Sequence, residues 1–149
     1  MGRAASDVTV ALYDLTPRIT PRLGVWPGDT VPSREVLLDL ARGDSVTLST
    51  LHATVHLGAH ADAPSHYGEG ASAIESRSLE MYLGRCQVMH VRAARGQRLQ
   101  VKDLVLPVTA PRLLIGTGTF PDAERYNTDF AALSPELVEH LHTVGVRLV

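Results

Sequence analysis

Four of the seven histidines lie between positions 52 and 66, and the densest stretch reads His56-Leu57-Gly58-Ala59-His60-Ala61-Asp62-Ala63-Pro64-Ser65-His66. Neutral imidazoles and a carboxylate are donors for zinc, and also for manganese or iron, so the donor types do not choose among these metals. A helix would put His56 and His60 on one face, but it would turn Asp62 roughly 120° away, and Pro64 would break it. In a strand the four polar residues share the even positions, opposite the alanines. A straight strand still fails, because His56 and Asp62 would lie about 20 Å apart at about 3.3 Å per residue. Two ligands of one ion must approach within about 4 Å. The segment is therefore expected to curl back on itself, with Gly58 supplying the dihedrals that a side chain disfavours. A single histidine is ordinarily a surface or hydrogen-bonded core residue; four at this density call for a shared role. Other chemistry finds less support. No Gly-x-Ser-x-Gly is present, and Ser45, Ser49 and Ser65 sit in no elbow-like context. Gly116-Thr117-Gly118-Thr119 lacks the lysine and following helix of a phosphate loop and reads as a turn.

Several elements must position this segment. Residues 8–15 read as a strand, after which prolines at 17, 21, 27 and 32, with Gly24 and Gly28, make an extended, ordered loop. That loop carries Trp26, the only tryptophan. Residues 45–57 alternate with period two: Leu51, Ala53, Val55 and Leu57 form an expected core face, opposite Thr50, His52, Thr54 and His56. The chain is turn-rich from Gly58 to Gly70, and residues 78–83 predict a short helix that stops at Gly84. Strands are expected at 87–91 and 112–115. Ser134 is the expected N-cap of a C-terminal helix with Pro135 at its first position, Glu136 in its first turn, and Leu137, Val138 and Leu141 as its apolar stripe. Gly145 ends the helix, and residues 146–149 restart a strand. No internal repeat or low-complexity tract is visible.

With 149 residues and 44% hydrophobic content, one domain with a core of ordinary size is expected. The net charge is −2 and the 14 Lys and Arg are scattered, which argues against a nucleic-acid partner. Asp7, Tyr13 and Asp14 interrupt the N-terminal stretch before the core of an export signal forms. No apolar run approaches the roughly 18–20 residues of a membrane helix. The single cysteine, Cys86, has no internal disulfide partner, so a soluble cytoplasmic protein is expected. Between Leu83-Gly84 and Val88-Met89, Cys86 reads as a buried structural thiol.

The ligand segment matches every fixed position of H-x-G-x-H-x-D-x-P-x-H, the signature of the cyclase/kynurenine formamidase family of metal hydrolases, which this chain resembles. Val25-Trp26-Pro27-Gly28-Asp29-Thr30, Tyr82-Leu83-Gly84 and Phe130-Ala131-Ala132-Leu133-Ser134-Pro135 extend the likeness, and the tryptophan loop favours the formamidase branch. The resemblance implies His56, His60 and Asp62 as ligands of a divalent metal, zinc first and manganese as an alternative, with Asp62 able to bridge two ions. It implies His66 as the group that takes and returns a proton, a role suited to an imidazole near neutral pH, and Trp26 as part of the substrate pocket. The implied fold is α/β, a swivelling β/β/α domain with a mixed sheet flanked by helices, assembled as a homodimer or larger homo-oligomer. The implied reaction is hydrolysis of an aryl formamide, N-formylkynurenine, to kynurenine and formate in tryptophan degradation. A cyclic amide such as isatin is the alternative substrate, and a non-catalytic metal-binding module the reading from another class. By the same resemblance the family continues past the last strand to a later histidine and glutamate, so the domain is expected to be incomplete at its C-terminus. His140 and His142 do not match that histidine and are expected on an exposed helix face near the favourable C-terminal dipole.

Overall fold

The computed structural model describes residues 11–149. Strands β1 (Ser33–Leu38) and β2 (Leu48–His52) pair as an antiparallel hairpin, with Ser33 opposite His52 and a bulge between Val36 and Leu38. Their connection holds a 3-10 turn, Leu40–Arg42, whose start is capped by the Asp39 carboxylate accepting from the Ala41 N–H at 2.9 Å. Strands β3 (Gln87–His90), β4 (Arg98–Leu99), β5 (Leu113–Gly116) and β6 (Ala132–Leu133) follow, then helix α1 (Pro135–Thr143). β3 runs parallel to β5, with Gln87 opposite Leu113, and β4 runs parallel to β6. Small sheets of both senses and one α-helix among the described residues make the chain α/β, the expected class.

The core joins β3 and β5 to α1 through Met89, Val91, Leu99, Leu113, Leu137, Leu141 and Val146. α1 forms as its sequence predicts. The Ser134 hydroxyl accepts from the Leu137 N–H at 3.1 Å, and Pro135 opens the helix, where no backbone donor is required. Leu137 and Leu141 are sealed, each burial stabilising the fold by about 1.5–3 kcal/mol. Val138, expected in the same stripe, faces outward instead. The helix ends in a Schellman motif: Gly145 N–H donates to His142 O at 3.0 Å and Val146 N–H to Leu141 O at 2.9 Å, with Val146 folded onto the core.

Other expectations are corrected. Of the strand at 8–15, residues 8–10 lie outside the described residues and 11–15 are irregular. There the Asp14 carboxylate accepts from both the N–H and the hydroxyl of Thr16, a local turn that competes with strand pairing. The strand at 45–57 survives only as β2, and its supposed core face is open, with Leu51 63% and Val55 88% exposed. The apolar layer forms beneath α1 instead, and the hairpin stands apart from it. At 78–83 only the 3-10 turn Leu79–Met81 forms; the Arg112 guanidinium takes the carbonyls of Met81 (2.7 Å) and Glu80 that a longer helix would have used. Residues 146–149 contribute one parallel bridge, Arg112 with Leu148, rather than a strand. Cys86 is exposed, not buried: Met89 sets the inward parity of β3, and the even positions 86, 88 and 90 point out. His140 is half-buried, lining a cavity together with Leu104, Val108 and Val144, while His142 is exposed as expected.

Candidate metal centre

β2 stops at His52 because the next residues bond elsewhere. Thr54 N–H donates to Thr30 O at 3.3 Å, and the Thr54 hydroxyl accepts from the His56 N–H at 3.1 Å, a local turn that bends the chain out of the sheet. Gly58 then adopts φ +60°, the left-handed region that side chains disfavour, and its carbonyl accepts from His60 Nδ1 at 3.0 Å. A 3-10 turn over Pro64–His66, opened by proline, completes the curl.

The result is convergence. His56 Nδ1, His60 Nε2 and Asp62 Oδ1 are separated by 3.2 Å (His56 to His60), 2.8 Å (His56 to Asp62) and 3.3 Å (His60 to Asp62). Donors of a tetrahedral ion bound at about 2.0–2.1 Å stand about 3.3 Å apart, so the first and last separations have the span of one coordination shell. The shorter one is a close contact between ring and carboxylate. The bond from His60 Nδ1 to Gly58 O commits that nitrogen as donor and leaves Nε2 with its lone pair toward the cluster, the orientation metal-bound histidines require. His66 joins them: its ring centroid lies 4.4 Å from that of His56, and a ring nitrogen falls within 4.8 Å of donor atoms of His56 and Asp62. The group His56, Asp62 and His66 could hold a metal ion. His56 and Asp62 thus belong to two triplets, one completed by His60 and one by His66. The side chains of His56, His60 and Asp62 are 35%, 33% and 29% exposed, which leaves the cluster open to a ligand from solution. His52 does not join; it pairs across the hairpin with Glu35 at 3.4 Å.

Trp26 stands at one end of a tight turn. Asp29 N–H donates to Trp26 O at 2.9 Å, Pro27 occupies the first central position, and Gly28 the second with φ +92°, the geometry of a type II turn. The ring is 56% exposed and meets Tyr126 edge-on, centroids 5.7 Å apart. Burial pushes the Tyr126 phenol up. Asp29, at the other end, accepts the Thr54 hydroxyl at 2.6 Å. That bond, with the Thr30 N–H behind it, holds the Asp29 carboxyl below the usual carboxylate range. Asp29, Thr54 and Tyr126 support the site and were not singled out from sequence. A signal was present for Asp29, since Trp-Pro-Gly-Asp is a type II turn pattern that places its last residue beside its first. Of the turn expected at Gly116-Thr117-Gly118-Thr119, Gly116 instead closes β5 and the chain bends at Gly118, with Thr119 buried and its hydroxyl accepting from the Ala131 N–H at 2.8 Å. Among the described residues no helix is long and apolar enough to cross a membrane. The Cyclase family model, whose description reads "Putative cyclase", matches residues 13–149 of this chain.

Proposed function

The chain belongs to the cyclase family, and from that membership we propose that it is a metal-dependent amidohydrolase that cleaves an aryl formamide, N-formylkynurenine, to kynurenine and formate in tryptophan degradation. One observation carries the reading: a seven-residue span is folded so that three donor atoms stand 2.8–3.3 Å apart with a third imidazole alongside. His56, His60 and Asp62 are the proposed ligands, and zinc suits two imidazoles and a carboxylate, with manganese compatible. A cation held there supplies a Lewis acid that polarises the formyl oxygen and brings the pKa of water toward about 7.

The side chains do the rest. Asp62, with two carboxylate oxygens, would have the capacity to serve a second ion. His66 takes a proton from the attacking water and returns it to the aniline nitrogen as the C–N bond breaks, so that the formyl carbon leaves as formate and the ring as a free amine. Trp26 packs on the aryl ring. The parallel strand pairs with α1 laid against them are compatible with a swivelling β/β/α domain, and we infer a homodimer or larger homo-oligomer in the cytoplasm.

The test is hydrolysis by the purified chain supplied with zinc or manganese. Kynurenine formed from N-formylkynurenine, and lost on chelation, supports the reading. Turnover of isatin alone would move the substrate to cyclic amides, and stoichiometric metal with no turnover of either would make the chain a binding module.

A further inference from the structure

We propose that Asp29 is a positioning residue that sets substrate specificity: its bond to Thr54 fixes where the Trp26 ring stands relative to His56, and so favours aryl over alkyl formamides. This rests on the metal-dependent formamidase reading above.

The turn holding Trp26 and Asp29 is stiff. Pro27 locks its own φ, Gly28 takes a left-handed φ that a side chain would resist, and the Asp29 N–H to Trp26 O bond closes the loop at 2.9 Å. Moving Asp29 therefore moves Trp26. Two bonds lash the far end of this turn to Thr54: the Thr54 hydroxyl to Asp29 Oδ2 at 2.6 Å and the Thr54 N–H to Thr30 O at 3.3 Å. The same hydroxyl accepts from the His56 N–H at 3.1 Å. One oxygen atom thus joins the tryptophan turn to the backbone of the first ligand, using both its donor and its acceptor capacity.

The opposite flank is anchored separately. Gly24 N–H donates to Ala123 O at 2.8 Å, and Tyr126 stands edge-on to Trp26. With those contacts the ring has a backing, and its 56% exposure leaves surface for a flat ligand. The Asp29 to Thr54 bond is what relates that surface to the ligand cluster.

The experiment uses the full chain with Asp29→Ala, Thr54→Val, the double variant, and the conservative Thr54→Ser, assayed on formanilide and on N-propylformamide. Because Trp26 is the only tryptophan, its emission reports the ring directly, with or without metal. We expect Asp29→Ala to raise KM for formanilide about tenfold while kcat/KM for N-propylformamide and bound zinc stay at wild-type values; Thr54→Val, which also takes the acceptor from the His56 N–H, should show the same rise in KM together with weaker zinc binding. Both should shift the Trp26 emission in the same sense, adding Asp29→Ala to Thr54→Val should shift it no further, because the bond between the two side chains is already gone, and Thr54→Ser should keep wild-type behaviour. Equal losses on both substrates in Asp29→Ala, additive emission shifts in the double variant, or unchanged Trp26 emission overturn the proposal. A wild-type chain that hydrolyses neither formamide defeats the formamidase reading instead. The emission of the metal-free variants then still decides the tether: coincident shifts uphold it, and additive or absent shifts refute it.

Discussion

His56 Nδ1 lies 2.8 Å from Asp62 Oδ1 although six positions separate the two residues along the chain. An extended segment would hold them about 20 Å apart. The energy that folds the loop so tightly comes from local bonds at Thr54 and Gly58 and from the rigid proline turn beyond.

Removing a donor should therefore release the metal rather than unfold the protein. His60→Ala and Asp62→Ala are each expected to abolish both metal retention and turnover, while far-ultraviolet circular dichroism is preserved. Metal analysis after gel filtration checks this, and full occupancy in the His60 variant would remove it from the ligand set.

His66→Ala should behave differently. Metal content should stay at the wild-type level while kcat falls by about 10²–10⁴, the usual worth of a positioned acid/base group. Since His66 also lies within 4.8 Å of the His56 and Asp62 donors, loss of metal in this variant would make it a ligand instead.

Gly58→Ala probes the curl itself. At φ +60° a side chain costs about 1–2 kcal/mol, and a Cβ there would touch Leu23 and Pro17 only at ordinary contact distances, 3.7 and 3.8 Å. The penalty is thus conformational. We expect roughly a tenfold weaker metal affinity, corresponding to about 1.4 kcal/mol, with the core near α1 unaffected. Calorimetric metal titration measures it, and wild-type affinity would show that the loop tolerates the dihedral.

At the other end of the molecule, Ser134→Ala should cost about 1 kcal/mol, the ordinary value of an N-cap. It should lower Tm without altering metal binding. A pH effect accompanies it. Glu136 is held below its ordinary carboxyl value by its own backbone N–H and then by Ser134. A depressed folded pKa contributes stability that is fully present above the ordinary glutamate value and is lost as pH falls through the folded value. Glu136→Gln should therefore lower Tm at neutral pH, leave it nearly unchanged below the folded value, and so flatten the acid limb of the Tm profile. An unaltered acid limb would contradict this.

What could be read from the sequence follows the range of the interactions. α1 was legible from its cap at Ser134 to its end at Gly145, because every determinant sits within a few residues of the helix. β3 and β5 announced themselves as short apolar runs. The curl of residues 56–66 was legible for a different reason: four donors at that spacing cannot meet in any straight element. Pairings across long separations left no such mark. β1 was unforeseen, since its partner lies beyond a nine-residue connection containing its own turn, and the two-residue strands β4 and β6 have no period to detect. The face of Leu51 and Val55 was misjudged because alternation reveals two faces without saying which one another layer covers. The bond from Asp29 to Thr54 spans 25 positions, and only half of it, the proline-glycine turn, was written locally.

The separation of the hairpin from the α1 core has a consequence for how the molecule breathes. Backbone amides of β3 and β5, roofed by α1, should exchange with solvent only through large-scale opening, whereas those of β1 and β2, neither of which has a buried residue, can exchange through a local one. The ligand loop hangs from the end of β2. A bound cation, favouring the closed loop by mass action, would thus slow exchange in a strand that contributes no donor to it, so that the hairpin's protection becomes a gauge of whether the centre is filled.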